Sequence, residues 1–140
     1  MSNSNINSSA LINDHQIGAF GNYYNKEKSE LLIVKELTNL SIYQIAKFKS
    51  SKANVDSVTI DGLNLPKKYP EVSYNNDTRI LWNGPDICMV VSTDIDIKEK
   101  LSSINSDDFA VTDLSHSRAG IEISGLHAID VLKKGTPLNL

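Results

Sequence analysis

The sequence predicts an α+β fold: a split β-α-β arrangement with helices on one face of a mostly antiparallel sheet. Apolar residues alternate along several short segments, turn-forming residues separate these segments, and later segments change to helical spacing. The predicted order is strand, helix, hairpin, helix, hairpin, helix. Because 140 residues can bury one ordinary core, we expect a single domain over residues 31–140. The polar segment before it, residues 1–30, is expected to be disordered or extended.

The first two strands are predicted from an apolar run, residues 31–34, and from an alternating segment, residues 41–48. We expect these two strands to pair with each other across Asn39-Leu40. Residues 53–60 are interpreted as a short helix that ends at Gly62, although their β-branched side chains disfavour a helix.

A hairpin and a helix are predicted in the middle of the chain. Residues 80–82 and 87–91 flank Asn83-Gly84-Pro85-Asp86, whose glycine and proline supply the backbone angles of a turn. Thr93 or Asp94 then caps a helix. Its buried face is predicted from apolar residues at helical spacing: Ile97, Leu101 and Ile104.

The C-terminal part predicts a strand, a reversal, a second strand and a helix. Phe109 and Val111 begin an alternation that residues 118–124 repeat, so Ser115-His116-Ser117 is predicted to reverse the chain and pair the two strands. Gly135 is expected to end the following helix in the left-handed conformation. One side of this helix is apolar: Leu126, Ile129, Val131 and Leu132.

The same C-terminal segment resembles the gamma subunit of heterotetrameric sarcosine oxidase, whose pattern includes Asp-x-Ser-x-x-Arg, Ser-Gly-Pro-x-Ala-x-x-x-Leu-x-Lys-Gly and Pro-Leu-Asp-Leu. The matching residues are Asp113, Ser115, Arg118, Ser124, Gly125, Ala128, Leu132, Lys134, Gly135, Pro137, Leu138 and Leu140. Upstream, Leu81-Trp82-Asn83-Gly84-Pro85-Asp86 is similar to the family's Leu-Trp-x-Gly-Pro-Asp, and Leu65-Pro66 to its preceding Leu-Pro. Leu126 replaces a proline of the family pattern. Family members continue beyond the pattern, so the resemblance implies either a shortened protein or a missing end. In both cases an open sheet edge would have to be covered by a partner.

The resemblance implies a structural, accessory subunit that is related to the folate-binding domain of aminomethyltransferases. The implied complex demethylates sarcosine oxidatively to glycine, with formaldehyde or methylene-tetrahydrofolate and hydrogen peroxide. No catalytic residue and no bound cofactor are expected in this chain; FAD, FMN, NAD, zinc and tetrahydrofolate are implied in the alpha, beta and delta subunits. The alternative is a stand-alone folate-binding protein of one-carbon metabolism, with Asp113 as the pterin-binding carboxylate. A third alternative is a free-standing interaction domain.

The candidate site residues are few. Asp113, Ser115 and His116 include the residue types of a catalytic triad, but neighbours on a strand point to opposite faces, so we interpret them as turn-stabilising residues. Trp82 and Arg118 are the predicted interface residues, because tryptophan anchors interfaces and the arginine fork favours carboxylate partners. Core packing is the alternative for Trp82.

Metal and phosphate sites are not predicted. His15, His116 and His127 lack ligand spacing, and Cys88, the only cysteine, is interpreted as a small strand residue. Gly18-Ala19-Phe20-Gly21 opens no predicted helix, so we expect a loop there rather than a phosphate-binding turn.

Composition and charge exclude further classes. The net charge of -3 and the pI near 5.5 argue against a nucleic-acid surface, which needs clustered basic residues. No apolar run is long enough for a membrane span or a signal peptide core. Because a lone cysteine makes no internal disulfide, the expected location is cytoplasmic.

Overall fold

A computed structural model describes Leu11, residues 18–20 and residues 32–137. Ten strands, two helices and a short 3-10 turn, Val55–Ser57, occur in this part of the chain. In chain order the strands and helices are β1 (Gly18–Phe20), β2 (Leu32–Leu37), β3 (Ser41–Lys47), β4 (Thr59–Ile60), β5 (Leu63–Asn64), β6 (Val72–Tyr74), β7 (Thr78–Gly84), β8 (Ile87–Ser92), α1 (Ile97–Ser102), β9 (Phe109–Asp113), β10 (Gly120–Ser124) and α2 (Ala128–Gly135).

The chain divides into two compact units. The larger unit is Asn39–Arg118, and the smaller unit combines Met1–Thr38 with Ala119–Leu140. The larger unit therefore contains β3 to β9 with α1, whereas the smaller unit contains β1, β2, β10 and α2.

The larger unit is built on a five-stranded sheet in the order β6-β7-β8-β3-β9, in which every pair of neighbours is antiparallel. Since β8 and β9 are both antiparallel to β3, which lies between them, they run parallel to each other. The chain connects them through α1, so β8, α1 and β9 form a split β-α-β unit around β3. The α+β class and the mostly antiparallel sheet are confirmed.

The core of the larger unit consists of side chains from the five-stranded sheet, from α1, from β4 and from the loop after β5. Each fully buried isoleucine there stabilises the fold by about 1.5–3 kcal/mol relative to an exposed one. Ile97 and Leu101 of α1 are buried, as the helical spacing predicts, and Ile104 packs against the core. The core cluster is Tyr43, Ile45, Ile60, Leu65, Ile80, Cys88, Val90, Ile97, Leu101 and Phe109.

The predicted hairpin between residues 80–82 and 87–91 is confirmed as β7 and β8. Trp82 lies opposite Cys88, and a bulge between Trp82 and Gly84 brings the two strands to the turn. Asp86 has a φ of 60°, a left-handed conformation that aspartate and asparagine adopt more readily than other non-glycine residues.

The smaller unit consists of a three-stranded antiparallel sheet, in which β2 lies between β1 and β10, and of α2. Asp130 stands in the first turn of α2, where it complements the helix dipole. Gly135 is the last helical residue and is not in the left-handed conformation; the N–H of Thr136 closes the helix at Leu132 O, 3.0 Å away. The expected glycine stop is therefore wrong.

Both predicted hairpins at the unit boundaries are wrong. β2 pairs with β1 and β10, and β3 pairs with β8 and β9. Residues 39–40 and 115–117 therefore connect strands of different sheets, and the predicted single sheet is two main sheets with α1 and α2 in different units. Apolar alternation reveals which face of a strand is buried, but it carries no information about the strand's neighbour.

Three local predictions also need correction. Residues 53–60 form the 3-10 turn and then β4, because Asn54 Oδ1 accepts from the N–H of Asp56 at 3.0 Å and β-branched residues favour the extended chain that follows. The N-terminal cap of α1 is Asp96, whose N–H donates to Asp94 Oδ1 at 2.9 Å. Gly18–Phe20, expected to be a loop, forms β1. The rest of segment 1–30, apart from Leu11, lies outside the described residues.

Candidate functional site

The turn after β9 is anchored to the neighbouring strand β3. The hydroxyl oxygen of Ser115 accepts a hydrogen bond from the N–H of Ile42 at 2.9 Å, and the N–H of Leu114 donates to the Ile42 carbonyl at 2.8 Å. The N–H of Ser115 donates to Asp113 Oδ1 at 2.9 Å. Because its oxygen is engaged by the backbone of β3, the Ser115 hydroxyl holds the turn in place and is not poised as a nucleophile.

Asp113 lies directly opposite Tyr43 in the antiparallel pair of β9 and β3. Burial raises the pKa of Asp113, but hydrogen bonds from Ser115, the nearby charge of His116 and a hydrogen bond from Tyr43 outweigh it and lower the pKa overall. The pKa of Tyr43 is raised by burial and by the charge and hydrogen bond of Asp113. Asp113 is therefore a carboxylate that stabilises its own turn, which agrees with a structural role for these polar residues.

The two predicted interface residues are not brought together. Trp82 lies on β7 and Arg118 follows β9, so β8 and β3 separate them in the sheet. Arg118 is exposed and its guanidinium donates to the Ser117 carbonyl at 3.1 Å. Trp82 is half-buried and meets the ring of Tyr69 edge to face, with ring centroids 6.3 Å apart.

Trp82 also lines a cavity of about 290 Å³ in the larger unit, which the sequence reasoning did not anticipate. On the side of the cavity formed by the sheet, three side chains from adjacent strands lie in a row. Trp82 is directly opposite Cys88, and Cys88 is directly opposite Ile45. Directly opposed residues point to the same face of a sheet, so this row forms an apolar floor. Residues 53–56 and 65–67 provide the remaining apolar wall: Ala53, Val55, Leu65 and Pro66.

Among the described residues, four charged ones also line the cavity. Lys67 and Asp56 form an ion pair with each other. Lys47 and Asp86 are neighbours, since the backbone N–H of Lys47 donates to the Asp86 carbonyl at 2.9 Å. Neither of these two side chains takes part in any ion pair found within residues 32–137. The alternation along β3 could have placed Lys47 on the cavity side of the strand, because Lys47 stands two residues after Ile45 and shares its face.

Cys88 contributes its thiol to the cavity floor. It donates a long hydrogen bond to the Pro66 carbonyl, 3.5 Å away, and only 6% of the residue is exposed. Burial raises the pKa of the Cys88 thiol to about 11, so the thiol is neutral at physiological pH. This agrees with its interpretation as a small strand residue.

Metal ligands do not converge in the described part of the chain, where no group of three or more histidine, cysteine or acidic residues could hold an ion. His116 belongs to the larger unit and His127 to the smaller unit, where its Nδ1 lies 3.1 Å from Asp130 Oδ2. His15 lies outside the described residues. Within those residues, no helix has the length and apolar character needed to cross a membrane.

No protein-family model and no curated protein matches the sequence. The fold, however, is similar to that of a chain in the structure of heterotetrameric sarcosine oxidase from Corynebacterium sp. U-96 in complex with pyrrole 2-carboxylate, with a TM-score of 0.67. The two chains share a fold. Sequence identity is 24%, and the match covers 80% of this chain. This chain spans only about 59% of the length of the sarcosine oxidase chain.

This similarity agrees with the resemblance found in the sequence motifs. The shared property is the general α+β fold with mostly antiparallel sheets.

Proposed function

We propose that this chain is a gamma-type accessory subunit of a heterotetrameric sarcosine oxidase. The observation that carries the proposal is the fold shared with a chain of such a heterotetramer. The two motif blocks around Trp82 and Asp113 point to the gamma subunit among its chains. An accessory role also fits the turn at Ser115, where the triad-like residues are used to hold the backbone.

The surface of the smaller unit supports an assembly role. The apolar side of α2 is exposed rather than packed, since Ile129 is 56% exposed and Leu132 40%. Leu126, just before the helix, is 70% exposed. On β10, Ile121 is 52% exposed. A group of exposed apolar residues of this kind is typical of a protein interaction site. We define the α2 patch as Leu126, Ile129, Val131 and Leu132, and we propose that it contacts a partner subunit.

The partners in this proposal are the alpha, beta and delta subunits, which would hold FAD, FMN, NAD, zinc and tetrahydrofolate. The complex would oxidise sarcosine to glycine in the cytoplasm, producing formaldehyde or methylene-tetrahydrofolate and hydrogen peroxide. This chain would contribute no reacting group and no bound cofactor. Exposed Arg118 and half-buried Trp82 remain proposed interface residues, with Arg118 the more accessible of the two.

Co-expression tests the proposal. The tagged chain is produced together with alpha, beta and delta subunits, and the purified material is examined for flavin absorbance, subunit composition and sarcosine oxidation. We expect the flavin-bearing subunits to co-purify and oxidase activity to depend on the complex. A chain that stays alone in the presence of all three subunits, or that oxidises sarcosine by itself, would contradict the proposal.

A matched pair of variants locates the interface. Ile129→Asp places a charge in the α2 patch, whereas Val72→Asp places one at an exposed residue of β6, where Val72 is 44% exposed. We expect Ile129→Asp to abolish co-purification and Val72→Asp to preserve it, because a buried unpaired charge strongly destabilises an interface. Equal co-purification of both variants would exclude the α2 patch.

The alternative function is a stand-alone folate-binding protein with Asp113 on the pterin. Asp113 is bound by its own turn and by Tyr43, and it is not among the residues that line the cavity. Titration of the isolated chain with tetrahydrofolate distinguishes the two functions. Saturable binding that Asp113→Ala weakens would favour the alternative, and absence of binding would leave the accessory subunit as the better explanation.

A further inference from the structure

We propose that the cavity in the larger unit binds a free amino acid with an aromatic or large apolar side chain. Its apolar floor would receive the side chain, and Lys47 and Asp86 would bind the carboxylate and the ammonium group. This inference concerns only residues of the larger unit and does not depend on the subunit assignment.

The floor of the cavity suits an apolar ring. Trp82 and Phe109 offer aromatic surfaces, and Ile45 between their strands is only 1% exposed. Aromatic rings prefer offset or edge-on contacts with each other, so a phenyl side chain is a favourable neighbour for these rings. The neutral thiol of Cys88 adds no charge to the floor.

The charges at the cavity favour a zwitterion over a simple anion or cation. Asp56 and Lys67 already neutralise each other, which leaves one cation, Lys47, and one anion, Asp86, among the described residues that line the cavity. The backbone hydrogen bond between Lys47 and Asp86 places these residues side by side, yet their side chains form no ion pair. An α-amino acid carries the complementary charges on two groups that are bonded to the same carbon, so it can satisfy both side chains at once.

The size of the cavity limits the ligand. A volume of about 290 Å³ is just below the usual range for small-molecule sites, which is roughly 300–1,000 Å³. A single-ring amino acid is a better match than a dinucleotide or a folate. With so few atoms to contribute, the ligand is expected to bind with a Kd on the order of 1 mM.

The fluorescence of Trp82 provides a local probe, because it is the only tryptophan in the chain. The full chain is titrated with L-phenylalanine while the tryptophan emission is followed. We expect a saturable change with L-phenylalanine and binding weaker by about tenfold for phenethylamine and for 3-phenylpropionate, which each lack one charged group. Glycine, which lacks the ring, should produce no saturable change.

Two variants test the charged pair directly. Lys47→Gln and Asp86→Asn each remove one charge, and asparagine tolerates the left-handed backbone of residue 86. Each should weaken L-phenylalanine binding by about tenfold, whereas Lys49→Gln and Asp107→Asn, exposed residues outside the cavity, should leave it unchanged. Unfolding curves show whether each variant is folded.

The proposal is overturned if L-phenylalanine gives no saturable change with the folded wild-type chain. It is also overturned if both cavity variants, shown to be folded, bind as tightly as the wild type. Equal binding of L-phenylalanine and 3-phenylpropionate would show a site for aromatic acids and would contradict the role of Asp86.

Discussion

Ser115 and Ile42 are 73 residues apart in the sequence, yet the Ser115 hydroxyl oxygen lies 2.9 Å from the Ile42 backbone nitrogen. This hydrogen bond joins the turn after β9 to the start of β3 and satisfies a backbone N–H that has little access to water, since Ile42 is only 6% exposed.

Ser115→Ala is expected to reduce the free energy of unfolding by about 1–3 kcal/mol, because it leaves the Ile42 N–H without its acceptor. Ser117→Ala is the control, since the exposed Ser117 hydroxyl donates only to the nearby Leu114 carbonyl. Denaturant titration measures both variants. Equal stability of the two would show that the Ser115 contact contributes little.

Lys100 forms ion pairs with Asp61 and Asp94, and these contacts predict a specific acid sensitivity. Hydrogen bonds from Lys100 and Asn75 lower the pKa of Asp61, and hydrogen bonds from Lys100 and from the Asp96 N–H lower that of Asp94. Carboxylates with a lowered pKa in the folded state stabilise it fully above their unfolded value of 3.8, and they lose this effect as the pH falls through the folded-state value.

The measurement is the thermal midpoint as a function of pH for the wild type, Lys100→Met and the control Lys98→Met, which changes an exposed residue of the same helix. Lys100→Met should be less stable at neutral pH and should lose less stability on acidification. High salt should diminish the difference, because the cluster is partly exposed. Parallel pH profiles for all three proteins would show that the ion pairs of Lys100 do not cause the acid sensitivity.

The Cys88 thiol is expected to react slowly with iodoacetamide in the native protein, because its pKa is about 11 and the thiolate is the nucleophile. The rate should rise with pH up to about that value while the chain remains folded. Cys88→Ser/Ser103→Cys moves the only cysteine to an exposed position and should react much faster at neutral pH. Equally fast labelling of both proteins would show that the Cys88 thiol is not buried.

The same substitution, isoleucine to alanine, compares the contributions of the core and of the α2 patch to the free energy of unfolding. Ile45→Ala should reduce the free energy of unfolding by about 2–5 kcal/mol, because Ile45 is 1% exposed and its removal leaves a cavity. Ile129→Ala should change it by less than about 0.5 kcal/mol, because Ile129 is 56% exposed. A large loss of stability for Ile129→Ala in the isolated chain would mean that the α2 patch packs within the chain.

The sequence predicted part of the candidate site, the turn that follows β9. Asp113 was interpreted correctly as a turn-stabilising residue, because its Oδ1 accepts from the N–H of Ser115 two residues later. The bond between the Ser115 hydroxyl and the distant Ile42 N–H was not predicted. The cavity was missed, since its walls come from β3, β7, β8, β9 and two loops that are far apart in sequence. Lys47 and Asp86 become neighbours only when β3 and β8 pair.

The sequence by itself determined the extended or helical conformation of most segments. β3, β7, β8, β9, β10, α1 and α2 all lie where local periodicity indicates, whereas residues 53–60 and Gly18–Phe20 do not. Such preferences depend on side chains a few residues apart, so they can be read along the chain. Only the tertiary structure decided that residues 39–40 and 115–117 join different sheets and that β3 lies between β8 and β9. Strand pairing depends on contacts between distant segments, and several pairings can bury the same apolar faces.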